Sequence, residues 1–187
     1  MKRISCHVLA VLVICLVTVP RTTQGSGDKS SAGQQNVNAV IEEVCGKTAS
    51  KAVCVKTLKA DPLVVHGQGN LTAKDLAISF LRMASKNATM VIYELKVLME
   101  NDRLDPQVQQ GLSDCRDMLS DAGEQIDIAL NAVSADASYD TEKWLQVATD
   151  ATDLCKASLE GTEQVMLAKA KGFYNLCVIA GAICNQL

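Results

Sequence analysis

The sequence predicts an all-α protein, an up-down-up-down four-helix bundle preceded by an N-terminal helical hairpin and held by two disulfides. Three observations carry that prediction. Apolar residues recur at steps of three and four along four separate stretches, the spacing of one helix face. Only two Phe, three Tyr and one Trp are present, so aliphatic side chains must fill the core, and Ala and Leu on a period near 3.5 favour helices over sheets. Finally, Cys115 and Cys155 each lie within an apolar heptad, and the point midway between them falls in the polar segment Ser134 to Asp140. An antiparallel turn there brings the two cysteines level on facing stripes, where a disulfide is geometrically natural.

Residues 1–25 read as a secretory signal: Lys2 and Arg3, the apolar run Val8 to Val19, then small residues around Thr23 and Gly25. The run has twelve residues, too short to span a bilayer. Loss of this segment removes three basic residues and leaves 15 basic against 21 acidic ones. That balance disfavours nucleic acid and anionic membrane as partners of the mature chain. Six cysteines remain, Cys45, Cys54, Cys115, Cys155, Cys177 and Cys184, and export places them where pairing is expected if geometry permits.

Residues 26–36, rich in Gly, Ser and Gln, read as a flexible leader, so the folded domain is expected over 37–187. Helical spacing begins at Val37, Val40, Ile41 and Val44. Cys45 and Cys54 on one continuous helix would stand about 13 Å apart. A bond between them requires a break, which Gly46 to Ser50 supplies, giving a small stapled hairpin that ends at Asp61-Pro62. Leu63 to Asn70 reads as a loop. Thr72 with Asp75 resembles a capping box, with Leu71 and Leu76 as its hydrophobic staple. The helix it opens carries Ala77, Phe80, Leu81, Ala84, Ala88, Val91, Ile92, Leu95 and Leu98 on one face and should stop near Asn101 or Asp102.

Asp105 before Pro106 marks the next start, an N-cap followed by proline at the first helical position. Its stripe is Val108, Leu112, Cys115, Leu119, Ala122, Ile126, Ala129 and Val133. Thr141 and Glu142 start a helix whose inward stripe reads Trp144, Ala148, Ala151 and Cys155, and Gly161 ends it. The last stripe is Met166, Ala170, Phe173, Cys177, Ala180, Cys184 and Leu187. Cys177 and Cys184 share its face about 10 Å apart along the axis, beyond disulfide reach, and are expected as buried free thiols.

Little here suggests catalysis. His66 is the one histidine of the mature chain, in a glycine-containing loop, and no Cys-x-x-Cys, Glu-x-x-His, phosphate-binding glycine loop or Gly-x-Ser-x-Gly occurs. No cofactor or metal is expected. Asp114 with Asp117, and Asp150 with Asp153, stand one turn apart, but charges flanking an apolar stripe form a solvated face. Asn70-Leu71-Thr72 and Asn87-Ala88-Thr89 are glycosylation candidates, the second inside a helix but off its apolar face. A rigid exported bundle without catalytic equipment is best explained as a binder. An apolar-ligand carrier or a structural wall protein is the reading from another class.

The pair Cys45 and Cys54, the run Cys-Val-Lys-Thr-Leu-x-x-Asp-Pro from Cys54 to Pro62, Leu-x-Asp-Cys at Leu112 to Cys115, and Trp-Leu ahead of Cys155 resemble the plant invertase and pectin methylesterase inhibitor family, from about Val37 to Leu187. The resemblance implies a four-helix bundle with a helical hairpin and two disulfides, Cys45 to Cys54 and Cys115 to Cys155. It implies a monomeric, secreted, non-enzymatic inhibitor of the cell wall (apoplast) or vacuole, which docks helices across the substrate cleft of pectin methylesterase or acid invertase. Invertase inhibitors of the family often carry Pro-Lys-Phe between the second and third bundle helices, and Ser134 to Lys143 holds no proline, which favours pectin methylesterase. Methylesterase inhibitors usually place Thr before the fourth cysteine and Phe four after it, where this chain has Leu154 and Leu159. By the same resemblance the polar face Gln146, Thr149, Asp150 and Asp153 is expected to contribute to partner binding.

Overall fold

Two of the long bundle helices begin on a side chain that accepts from free backbone N–H groups of the first turn. In the computed structural model, which describes residues 29–66, 70–100, 103–159 and 164–187, α4 (Ala73–Met99) opens on a capping box: Asp75 N donates to Thr72 Oγ1 at 3.2 Å, and Thr72 N to Asp75 Oδ2 at 2.9 Å. α5 (Pro106–Ser134) opens on Asp105, whose Oδ1 accepts from Gln107 N at 2.8 Å. α6 (Thr141–Ser158) follows a single 3-10 turn at Ser138–Asp140, with the Thr141 hydroxyl donating to Ser138 O at 2.7 Å. α7 (Gln164–Cys184) completes the set.

Ahead of the bundle lie α1 (Lys29–Gly46), α2 (Lys51–Ala60) and the one-turn α3 (Pro62–Val65). The leader expected over 26–36 is therefore helical from Lys29, because the segment holds no proline and a helix nucleated at Val37 extends into polar sequence at little cost. The loop expected at Leu63 begins instead as α3, since Asp61 Oδ1 accepts from Leu63 N at 2.9 Å and Pro62 takes the first helical position. The signal segment 1–25 and the helix ends expected at Asn101 or Asp102 and at Gly161 lie outside the described residues.

The Cys45–Cys54 disulfide, with Cα atoms 5.6 Å apart, joins the hairpin arms, and Thr48 folds into the turn with N and Oγ1 both donating to Cys45 O. Lys59 and Lys51 both reach Glu42, each at 3.2 Å, and hold that exposed carboxyl below its ordinary pKa. The hairpin is tied to the bundle through Asp61, which also accepts from Ser79 Oγ on α4.

Residues 33–187 form one unit in which each long helix packs on two others: α4 on α5 and α7, and α6 on α5 and α7. Among the described residues there is no strand. The neighbours run antiparallel. Lys74 at the start of α4 reaches Ser134 O and Asp136 at the end of α5, at 3.3 and 2.5 Å, while Lys169 on α7 reaches Glu94 on α4 at 2.6 Å. Asp136 has φ 57°, the left-handed position that ends a helix, and Ala137 N donates to Ala132 O as that motif requires.

The predicted stripes of α4 and α5 are the buried ones, with Ile92, Leu98 and Val108 half-covered at the edges. α7 departs from its single stripe. Ile179 and Ile183 are also buried, on a second face, and Gln186 just beyond donates to Val44 O of α1 at 3.3 Å. A helix covered on two sides is apolar on two sides. Leu187, expected on the core stripe, lies past the helix end and is half-exposed.

Candidate functional site

α5 and α6 form the most closely joined pair, and two features set their separation. The Cys115–Cys155 disulfide brings the Cα atoms to 4.1 Å. One turn earlier on α5, Gly111 lies so close to α6 that a Cβ there would stand 2.2 Å from Ser158 O, so only glycine fits. The pair is thereby a rigid two-helix platform.

Its outer surface on α6 is rotated from expectation. The buried residues are Thr141, Leu145, Ala148, Thr149, Thr152 and Cys155, whereas Trp144 and Ala151 are only half-buried. The cause is local. Thr152 Oγ1 donates to Ala148 O at 2.7 Å and Thr149 Oγ1 to Gln146 O at 2.8 Å, so both hydroxyls enter the interior already satisfied. This corrects one expected contact residue: Thr149 is 8% exposed and faces inward. Gln146, Asp150 and Asp153 do face solvent.

The same rotation turns Val147 and Leu154 outward, 49% and 58% exposed. They stand seven residues apart on one face with Asp150 between them; in the sequence Leu154 stands out only as a departure from the methylesterase-inhibitor pattern and Val147 not at all, so neither was expected on the contact face. Their spacing outside the core stripe was the available signal, a second apolar row on a helix that has already supplied its buried one.

The carboxylates have neighbours of their own. Gln146 donates to Asp150 at 2.7 Å, and Lys156 pairs with Asp153 while lying 4.3 Å over the Tyr174 ring of α7. Gln110 donates to Asp114, and Arg116 to Asp117. With Asp121, Glu124 and Asp127 also exposed on α5, the platform presents an acidic surface carrying three exposed apolar side chains, Val147 and Leu154 on α6 and Ile128 on α5. His66 is exposed at the end of α3. Cys177 and Cys184 are buried free thiols, and burial pushes each pKa up to about 12.

The family model for plant invertase/pectin methylesterase inhibitors matches residues 39–183, which takes in both disulfides and the bundle as far as Ile183, the residue before the end of α7. The chain belongs to that family. It is accordingly an inhibitor and not an enzyme, and its partner is an enzyme. Two solved structures share the fold. A mutant form of a pectin methylesterase inhibitor from Arabidopsis matches at TM-score 0.67 and 21% identity, over 79% of this chain and 96% of that one. A pectin methylesterase inhibitor from Arabidopsis thaliana matches at TM-score 0.60 and 20% identity, over 80% and 96%. No curated protein matches significantly. In an inhibitor the relevant chemistry is that of a surface, and the stapled α5–α6 pair offers one held by a disulfide and a close glycine contact.

Proposed function

We propose that this inhibitor is secreted to the cell wall as a monomer and blocks pectin methylesterase by laying the α5–α6 platform across the substrate cleft. The observation that carries the reading is the outer face of α6, where Val147 and Leu154 are exposed among Gln146, Asp150 and Asp153 on a helix fixed by the Cys115–Cys155 bridge. Interfaces draw most of their energy from a few well-packed residues inside a polar rim, and this face has that composition. The lack of proline in the α5–α6 connection favours pectin methylesterase over acid invertase as the target. The segment 1–25 supports export.

Titrating both enzymes with the purified protein tests the target. Stoichiometric loss of methylesterase activity is expected, and loss of invertase activity alone would reassign it. Asp150→Lys with Asp153→Lys tests the face. The carboxylates take part in exposed contacts worth less than about 1 kcal/mol each, so thermal stability should hold. Inhibition should weaken at least about tenfold, or roughly 1.4 kcal/mol. Undiminished inhibition by the folded double variant would move the contact to another face.

A further inference from the structure

The two acceptor sequences for N-linked sugar meet different fates in the fold. Asn70 is exposed in the connection leading to α4, and the sequon's Thr72 has extended backbone, φ −118° and ψ 164°. Asn87 lies in the middle of the 27-residue α4. It is half-buried, its Oδ1 is buried with no hydrogen-bond partner among the described residues, and the sequon's middle residue, Ala88, is in the core. Both sequon hydroxyls are engaged, Thr72 Oγ1 donating to Asp75 Oδ2 at 2.6 Å and Thr89 Oγ1 to Ser85 O at 3.1 Å, so the two sites differ in the surroundings of the asparagine itself.

From this contrast we propose that Asn70, and not Asn87, carries an N-linked glycan. The reading rests on export of the chain. In the transfer, Asn70 Nδ2 bonds to C1 of the reducing-end sugar of a lipid-diphosphate-linked oligosaccharide. The C1–O bond to the diphosphate breaks, the diphosphate leaves with the bonding pair, and the amide gives up one proton to solvent. The modified amide keeps one N–H and its carbonyl oxygen, both of which need water or a partner. At Asn70 solvent supplies them and the glycan has room. At Asn87 the same glycan would have to be seated on a side chain whose carbonyl oxygen is already packed away from water, so folding and occupancy compete.

Placement follows from the same geometry. Lys74, one turn beyond Asn70, reaches Ser134 O across the end of the bundle. The sugar therefore springs from that end, and Asp150 and Asp153 lie two turns or more along α6 from its own start at the same end. The glycan solubilises the end of the inhibitor and leaves the proposed contact face open.

The test is glycopeptide mass spectrometry of the full chain expressed in plant cells, alongside Asn70→Gln and Asn87→Gln. A single glycan is expected, absent from the first variant, retained in the second, with inhibition by Asn70→Gln within about twofold of the parent. A glycan on Asn87, a bare Asn70 on exported protein, or a chain retained inside the cell overturns the assignment. A protein glycosylated at Asn70 that inhibits neither enzyme sinks the proposed function and leaves the glycan standing. An inhibitor with bare Asn70 does the reverse.

Discussion

Two glycines of α5 give opposite expectations from the same substitution. At Gly111 an added methyl meets the Ser158 carbonyl at 2.2 Å, and a backbone oxygen in a helix held by the neighbouring disulfide has little room to yield. Gly111→Ala should cost about 1–3 kcal/mol, the usual toll of overpacking. At Gly123 the nearest atom is the Ala88 Cβ at 3.6 Å, an ordinary contact, so Gly123→Ala should gain roughly 0.5–1 kcal/mol from helix propensity. Urea unfolding of the two variants separates them. The buried thiols supply a pH dependence. Their folded pKa values, about 12, lie above the ordinary 9.0, so the stabilising contribution is complete below pH 9 and is lost as pH rises toward 12. Between those limits the unfolded chain has lost protons the folded one keeps, and stability falls. Replacing Cys177 and Cys184 by Ala should flatten this alkaline limb relative to the parent, whatever it does to stability at pH 7.

Among the elements, the hairpin depends on Asp61 more than its length suggests. This one carboxylate caps α3 through Leu63 N and accepts from Ser79 on α4, at the junction where α2 ends. Beside it an open groove of about 590 Å³ runs between Val53, Ala60 and Pro62 on one side and Met83 on the other. The packing of the hairpin on α4 there is thus incomplete, and the polar tie matters more. Asp61→Ala removes a cap and leaves Ser79 buried without an acceptor, for a loss of about 1–3 kcal/mol. Limited proteolysis should then cut α2 or α3 before the bundle. If the bundle is cleaved first, the tie is unimportant.

For the whole molecule, stability of the order of 5–15 kcal/mol is the difference of large terms, so each disulfide counts. Closing the roughly 41-residue loop between Cys115 and Cys155 contributes on the order of 4 kcal/mol by the loop-entropy relation, and the hairpin's bridge about 2.7. Cys115→Ala with Cys155→Ala should therefore cost about 2–5 kcal/mol, and inhibition should fall only as far as the folded fraction falls. A variant that stays folded at assay temperature yet no longer inhibits would show the bridge shaping the contact surface itself.

The periodicity, caps and cysteine spacing of this chain determine its bundle, because each is a local property: a heptad stripe, an Asp-Pro start or a Thr-x-x-Asp box acts within one or two turns of helix. Thus the α4 and α5 stripes, the capping box at Thr72 and the start at Asp105 were all legible before any fold was known, and so was the level pairing of Cys115 with Cys155. What the stripes left open was how far each helix turns about its own axis. On α6 that angle was decided by tertiary contacts. Packing against α5 on one side and α7 on the other drew Thr149 and Thr152 inward, where their hydroxyls are satisfied by the helix's own carbonyls, and turned Val147 and Leu154 out. The second buried face of α7 likewise depends on the helices that pack on it, and the difference between Asn70 and Asn87 depends on what packs around α4. Sequence names the apolar residues of a helix; which of its polar ones are buried is settled by the neighbours, since only the assembled fold shows whether a hydroxyl or amide taken from water finds another partner.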